Sequence, residues 1–148
     1  MIRAAHPKYV LDASVAAKWF TRHDEPQRHK AVALRSLHQS GRTKLVIPDF
    51  ALLEILNAVR YSERAEEADA TKALDLLEKL GLEIVPLDWE LLRKATGIAW
   101  AYRIALYDAA YVAVAERLGF PLLTADEAMT KKMTGHSIVV RLADVEFE

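Results

Sequence analysis

Tyr9-Val10-Leu11-Asp12-Ala13-Ser14-Val15-Ala16-Ala17-Lys18-Trp19-Phe20 is the stretch that decides the fold. A three-residue apolar run ends on an acid and passes straight into a helical pattern. The run reads as a buried strand, and Ser14 is placed to cap the helix Val15 to Phe20. The same unit recurs. Leu45-Val46-Ile47, ended by Pro48, precedes a helix from Phe50 to Tyr61. That helix is apolar on nearly every face and so is expected to be buried. Leu82 to Leu87 reads as a third strand, followed by a cap at Asp88 and a helix from Trp89. Pro121 to Thr124 is a fourth strand, then come a short helix near Glu127 to Lys132 and a last strand, Ile138 to Val140.

Three more helices lie between these units. One carries Ala31, Val32, Leu34 and Leu37 and stops at Gly41. A second is amphipathic from Glu66 to Leu80 and ends at Gly81, and a third runs from about Tyr107 to Leu118 with Gly119 after it. Strands rich in Val, Ile and Leu that alternate with helices specify a parallel sheet covered on both faces. The expected fold is a single-domain α/β/α sandwich over residues 1–148, with a mostly parallel sheet of about five strands and right-handed connections.

Composition agrees. The chain has 148 residues, of which 52% are hydrophobic and 28% charged. A chain of this size buries about 68–70% of its unfolded surface and needs no staple to fold. Intrinsic disorder is excluded, since it requires low hydrophobicity. Lys and Arg total 20 against 21 Asp and Glu, so the net charge is −1 and the chain is not globally basic. There is no cysteine, which removes disulfides, thiolate metal sites and thiol nucleophiles. The longest nearly apolar stretch, Ile98 to Ala115, is broken by Arg103 and Asp108, so no membrane span is expected. The N-terminus carries Arg3, His6 and Lys8 and lacks an export-type apolar core, which makes cytoplasmic the expectation.

Four acids stand where acids are costly. Asp12 follows the first strand and Asp126 the fourth, so both belong to the same edge of the sheet, where such folds bind ligands. A helix cap or turn would also account for either. Glu54 and Asn57 are the only polar residues of Ala51 to Val59 and share a helix face. A surface slot would explain them, but a carboxylate among apolar neighbours is otherwise expensive. Asp108 is the only charged residue from Ile104 to Ala115 and lies near a helix start, where an N-cap is the plain alternative. Together the four would repel one another, and divalent cations relieve that repulsion. An all-oxygen set without Cys or a His pair suits Mg²⁺ or Mn²⁺. Such a centre hydrolyses phosphodiesters.

Four segments taken together resemble the PIN-domain ribonucleases, and within them the VapC-type toxins of toxin–antitoxin systems. They are Val10 to Val15 with Lys18-Trp19-Phe20, Pro48 through Glu54 to Asn57, Tyr107 to Tyr111 with Ala113 and Ala115, and Pro121 to Asp126. The resemblance implies a parallel sheet with an acidic metal pocket at one edge. Asp12, Glu54, Asp108 and Asp126 match its acidic positions, Ser14 and Thr124 its hydroxyls, and Asn57 a supporting polar position. Ala105 departs from the Ser or Thr that relatives often carry, and Glu127 adds a carboxylate. The implied activity is a Mg²⁺- or Mn²⁺-dependent endoribonuclease acting as a toxin. The implied partners are RNA, a small cognate antitoxin and a second copy of the chain, with no membrane. A PIN nuclease of ordinary RNA processing, or a silent PIN-like interaction module, would show much the same pattern.

The remaining features read plainly. The five histidines are expected on the solvated surface, since none has metal-helix spacing. Trp19, Trp89 and Trp100 are expected to pack in a core or interface, with Trp19-Phe20 as an alternative base-stacking pair. A solvated face is the plain account of Lys18, Arg22, Arg42, Lys44, Arg60 and Arg64, and phosphate contact is the sharper one. Glycine-rich nucleotide loops are absent, and Asp12-Ala13-Ser14 lacks the second Asp of an aspartyl phosphatase.

Overall fold

Among the described residues five short strands form one sheet: Lys8–Leu11 (β1), Lys44–Pro48 (β2), Glu83–Val85 (β3), Leu122–Thr124 (β4) and Val139–Arg141 (β5). Their order is β3-β2-β1-β4-β5, and every neighbouring pair is parallel. This computed structural model describes residues 7–21 and 24–147. Arg3, His6, Arg22 and His23 lie outside the described residues. The sequence explains the sheet. Val10 and Leu11, Leu45 to Ile47, and Leu122 with Leu123 have no solvent exposure. Successive strand residues face opposite sides, so both faces of the central strands are covered. Pro48 ends the second strand, as expected. It is the strand's last residue and stands opposite Val85 of β3.

The helices are Ala13–Ala16 (α1), Arg28–Gln39 (α2), Ala51–Arg60 (α3), Glu67–Leu80 (α4), Trp89–Tyr102 (α5), Leu106–Leu118 (α6) and Glu127–Lys132 (α7). α1 tightens into a 3-10 turn over Ala17–Phe20. α6 packs on α5 and across β1, β2 and β4. Its residues from Ala109 to Ala115 are all buried, and four of those seven are alanines that allow close approach. Gly119 ends it at φ +72°, a left-handed conformation that costs glycine little. Among the described residues no helix is long and apolar enough to cross a membrane.

Some expectations are corrected. Helix α3 is buried along one stripe only: Ala51, Ile55 and Val59 are buried, whereas Leu53 is 73% exposed. Trp89 and Trp100 are exposed on α5, so they are not core. Trp19 is core, and its Nε1 donates to the Ala31 carbonyl at 2.8 Å. It cannot stack a base. His38 is no solvated residue either. Its Nε2 lies 2.7 Å from the Leu80 carbonyl and its Nδ1 accepts from the Leu45 amide. His136 Nε2 pairs with Glu116 at 2.8 Å.

The sheet order has one consequence for function. From β1 the chain moves outward to β2 and β3, then returns to the other side for β4 and β5. The reversal lies between β1 and β4. In open parallel sheets the crevice beyond the carboxyl ends of the strands at such a point is where ligands bind.

Candidate active site

Asp12 and Asp126 meet at that crevice. The Asp12 amide donates to the Leu123 carbonyl at 3.0 Å, continuing the β1–β4 ladder by one step. Asp12 occupies the position before α1 yet makes no capping bond. Its side chain is turned inward and the residue is only 5% exposed. Both nearby hydroxyls serve it: Ser14 Oγ donates to Oδ2 at 2.5 Å and Thr124 Oγ1 at 2.9 Å. Ser14 is therefore not the helix cap expected of it. The two hydroxyls are held in turn, Ser14 Oγ accepting from the Ala125 amide and Thr124 Oγ1 from the Asp126 amide. Burial pushes the Asp12 carboxyl up from its ordinary value; the Ser14 and Thr124 bonds oppose that, and the Asp126 charge adds to it.

Asp126 caps α7, its Oδ1 accepting from the Met129 amide at 3.0 Å. The plain reading of this acid as a cap thus holds for one of its oxygens. Asp108 is the third residue of α6, after Ala105 in the cap position, so it caps nothing. Burial, then the charges of Asp12 and Asp126, raise its pKa to about 6, while Lys132 pulls it down. Glu54 is half-buried on α3, and its Oε1 is a buried oxygen with no hydrogen-bond partner. Burial first, then Asp12 and Asp108, push Glu54 up to about 7. The Tyr111 hydroxyl offsets a part of this, but no hydrogen bond closes on Oε1. Asn57 is exposed and does not relieve that oxygen.

Tyr111 is a site residue that the sequence did not mark. It reads as a core aromatic, and its ring is wholly buried. Its hydroxyl accepts from the Ala13 amide at 3.2 Å, and it sits among the acids. Burial and the charges of Asp12 and Glu54 keep the phenol protonated far above neutral pH. Lys132 is the second omission, a cation near Asp108 at the end of α7. The expected basic rim is partly committed elsewhere. Lys18 is buried and pairs with Glu25 at 3.3 Å, and Lys44 pairs with Glu83 at 3.5 Å. The extra carboxylate, Glu127, pairs with Arg141 at 3.5 Å.

Asp12, Glu54 and Asp108 are therefore raised by burial and by neighbouring acid charges, yet the carboxylates do not converge. Among the described residues no three of His, Asp and Glu stand close enough to grip a metal ion. The chemistry of the four acids nevertheless fits a hard divalent cation. The donors are all oxygen, Glu54 Oε1 is buried with its acceptor capacity unused, and both hydroxyls on Asp12 crowd onto Oδ2 rather than Oδ1. A depression of about 750 Å³ lies elsewhere: Phe20, Thr21, Val59 and Leu76 line it, and none of the four acids does.

A family model described as PIN domain matches residues 9–133. Ribonuclease VapC3 of Pyrobaculum aerophilum is 31% identical over 129 residues, which cover 84% of this chain and 94% of that protein. A toxin–antitoxin complex from Klebsiella pneumoniae contains a chain of the same fold, with a TM-score of 0.68 and 15% identity, over 93% of this chain and 99% of that one. VapC20 of Mycobacterium tuberculosis, described as a sarcin–ricin loop cleaving toxin, aligns with a TM-score of 0.59 and 17% identity, over 83% of this chain and 93% of that one.

Proposed function

The chain belongs to the PIN-domain family, and from that premise we propose that it is an endoribonuclease acting as the toxin of a toxin–antitoxin pair. The observation that carries the chemistry is the group of four carboxylates beyond β1 and β4, two of them titrating at about 6 and 7. The relative named a ribonuclease supports RNA as the substrate.

Asp12, Glu54, Asp108 and Asp126 would hold Mg²⁺ or Mn²⁺. When bound, such a cation offsets their repulsion, acidifies the attacking water and screens the charge on a phosphodiester undergoing in-line displacement. The rest of the work falls to this chain. Ser14 and Thr124 fix the Asp12 carboxylate through Oδ2, so it needs no reorganisation when ligand arrives. Glu54 and Asp108 carry protons in the acid range and must release them before either can hold a cation or accept a proton. Activity should therefore rise with pH through about 6 to 7. Asn57 supports the rim of the same helix.

A toxin must be silenced. The cheapest block places an Arg of the antitoxin among the acids, since its planar fork pairs two carboxylate oxygens at once. Antitoxin and metal would then compete, each weakening the other by the same factor. The working unit is a single PIN domain over residues 1–148, cytoplasmic and homodimeric.

The test is incubation of the purified chain with total RNA, with and without Mn²⁺. Metal-dependent internal cuts that vanish in Asp12→Asn are expected. Cuts that persist in that variant would sink the site assignment. An adjacent gene for a small DNA-binding protein would separate a toxin from a nuclease of ordinary RNA processing.

A further inference from the structure

Three aromatic rings connect the acid crevice to solvent. Tyr111 is buried among the acids. Phe50 lies against it, ring centroids 5.0 Å apart at 69°. Tyr107 lies against Phe50 in turn, at 5.7 Å and 70°. Burial falls along the row, from the enclosed Tyr111 through the partly buried Phe50 to Tyr107, which is 63% exposed. Two of its rings are tied to the acids in sequence. Phe50 sits one helical turn before Glu54, whose amide donates to the Phe50 carbonyl, and Tyr107 directly precedes Asp108. Core packing accounts for Tyr111 and Phe50 but gives no reason for the outermost ring. Trp89 and Trp100 are more exposed still, yet no ring contact links them to the crevice among the described residues.

We propose that Tyr107, backed by Phe50, is a stacking platform for one unpaired base of the RNA beside the bond that is cut. This rests on the ribonuclease reading. The base the platform takes is unpaired, because a base can lie flat on a side chain only when it is out of a duplex. The edge-on contact with Phe50 holds the Tyr107 ring on one side and leaves the other side to the ligand. Stacking needs a ring face and no phenol, so the platform tolerates different bases.

The experiment uses short single-stranded RNAs that the wild type cuts, with abasic residues introduced at successive positions, and compares wild type, Tyr107→Ala and Tyr107→Phe. A stack present in the ground state and the transition state alike acts on KM and leaves kcat unchanged. Tyr107→Ala should raise KM on the order of tenfold at constant kcat, and Tyr107→Phe should restore it. One abasic position should raise the wild-type KM equally and add nothing to the defect of Tyr107→Ala. 2-Aminopurine at that position should be quenched on binding to wild type and Tyr107→Phe, and not to Tyr107→Ala. An unchanged KM and quench in Tyr107→Ala would overturn the platform while the ribonuclease reading stands. So would a fall in kcat at constant KM, which marks a disturbed Asp108. A wild type that cuts no RNA overturns both.

Discussion

Asp12 and Asp88 stand in equivalent places: each follows a strand segment and precedes a helix. Asp88 behaves as the local sequence dictates. Its Oδ1 accepts from the Leu91 amide at 2.7 Å, and Arg117 grips both its oxygens at 2.7 and 2.9 Å. The Arg117 bond, then the Leu91 amide, holds its pKa at about 2. Asp12 refuses the same cap. It turns into the sheet edge, takes two hydroxyls and no guanidinium, and has its pKa raised. One acid is placed for stability at its own corner, whereas the other is kept where its charge is disfavoured. Strain of that kind concentrates at functional sites.

The largest expected effect separates the two directly. Asp12→Asn keeps the volume and the acceptor for Ser14 and Thr124 but removes the charge. RNA cleavage should fall by about a thousandfold or more, the scale of losing a principal catalytic group. The same change at Asp88 should leave the rate unaltered. Equal rates in wild type and a folded Asp12→Asn variant, measured on one RNA under saturating Mn²⁺, would erase the distinction.

A second contrast is thermal. A cation that binds only the native fold stabilises it by mass action. At a hundred times its Kd, Mn²⁺ should raise the wild-type melting temperature by about 5–10 °C. Glu54→Gln/Asp108→Asn should shift far less. An equal shift in both proteins would place the metal elsewhere.

Much of this pocket was legible in the sequence, and the reason is chemical. Carboxylates at Glu54 and Asp108 stand out because their neighbours are apolar, and strand ends at Asp12 and Asp126 set an edge. Helix α7 was legible to the residue because Asp126 and the following pattern are local signals. What stayed hidden depends on tertiary neighbours. Ser14 looks like a cap until Asp12 is seen to take its hydroxyl. Tyr111 looks like any core ring until its hydroxyl is placed beside Ala13. Leu53 and the exposed tryptophans show that an apolar pattern states a preference, while the partner that would satisfy it is set by packing. Histidines 38 and 136 have ring partners 42 and 20 residues away in sequence, beyond any local motif.

The third contrast is in pH. Glu54 and Asp108 are raised to about 7 and 6 in the fold, so between about pH 4 and 7 the folded chain holds more protons than the unfolded one. Stability of the metal-free protein from these groups is therefore greatest at the acid end of that window and falls as pH rises through it. Asp88 has the opposite sign: its contribution is present above about pH 4 and is lost as pH falls toward 2. Melting scans in chelator should show the decline from pH 5 to 7.5 in wild type. Glu54→Gln should flatten it and melt higher at pH 7.5, since an unpaired buried charge is gone. A wild-type curve that climbs across this range would contradict the reading of the pocket as a site of stored repulsion.

The smallest effect is expected at Asp88 itself, and it tests the other half of the comparison. Asn is as good an N-cap as Asp, so Asp88→Asn keeps the bond to the Leu91 amide. What goes is the charge that Arg117 pairs, and that pair lies at the surface, where ion pairs contribute little and salt screens them. The melting temperature should drop by a few degrees at low ionic strength, and the gap to wild type should close as salt is added. Arg117→Ala should reproduce the drop, because both changes break one interaction, and combining them should add little more. A loss that survives high salt would mean that the corner depends on packing by the Arg117 stem instead of on charge. A loss of RNA cleavage would be more damaging. It would make Asp88 part of the working surface, and the two acids would no longer differ in kind.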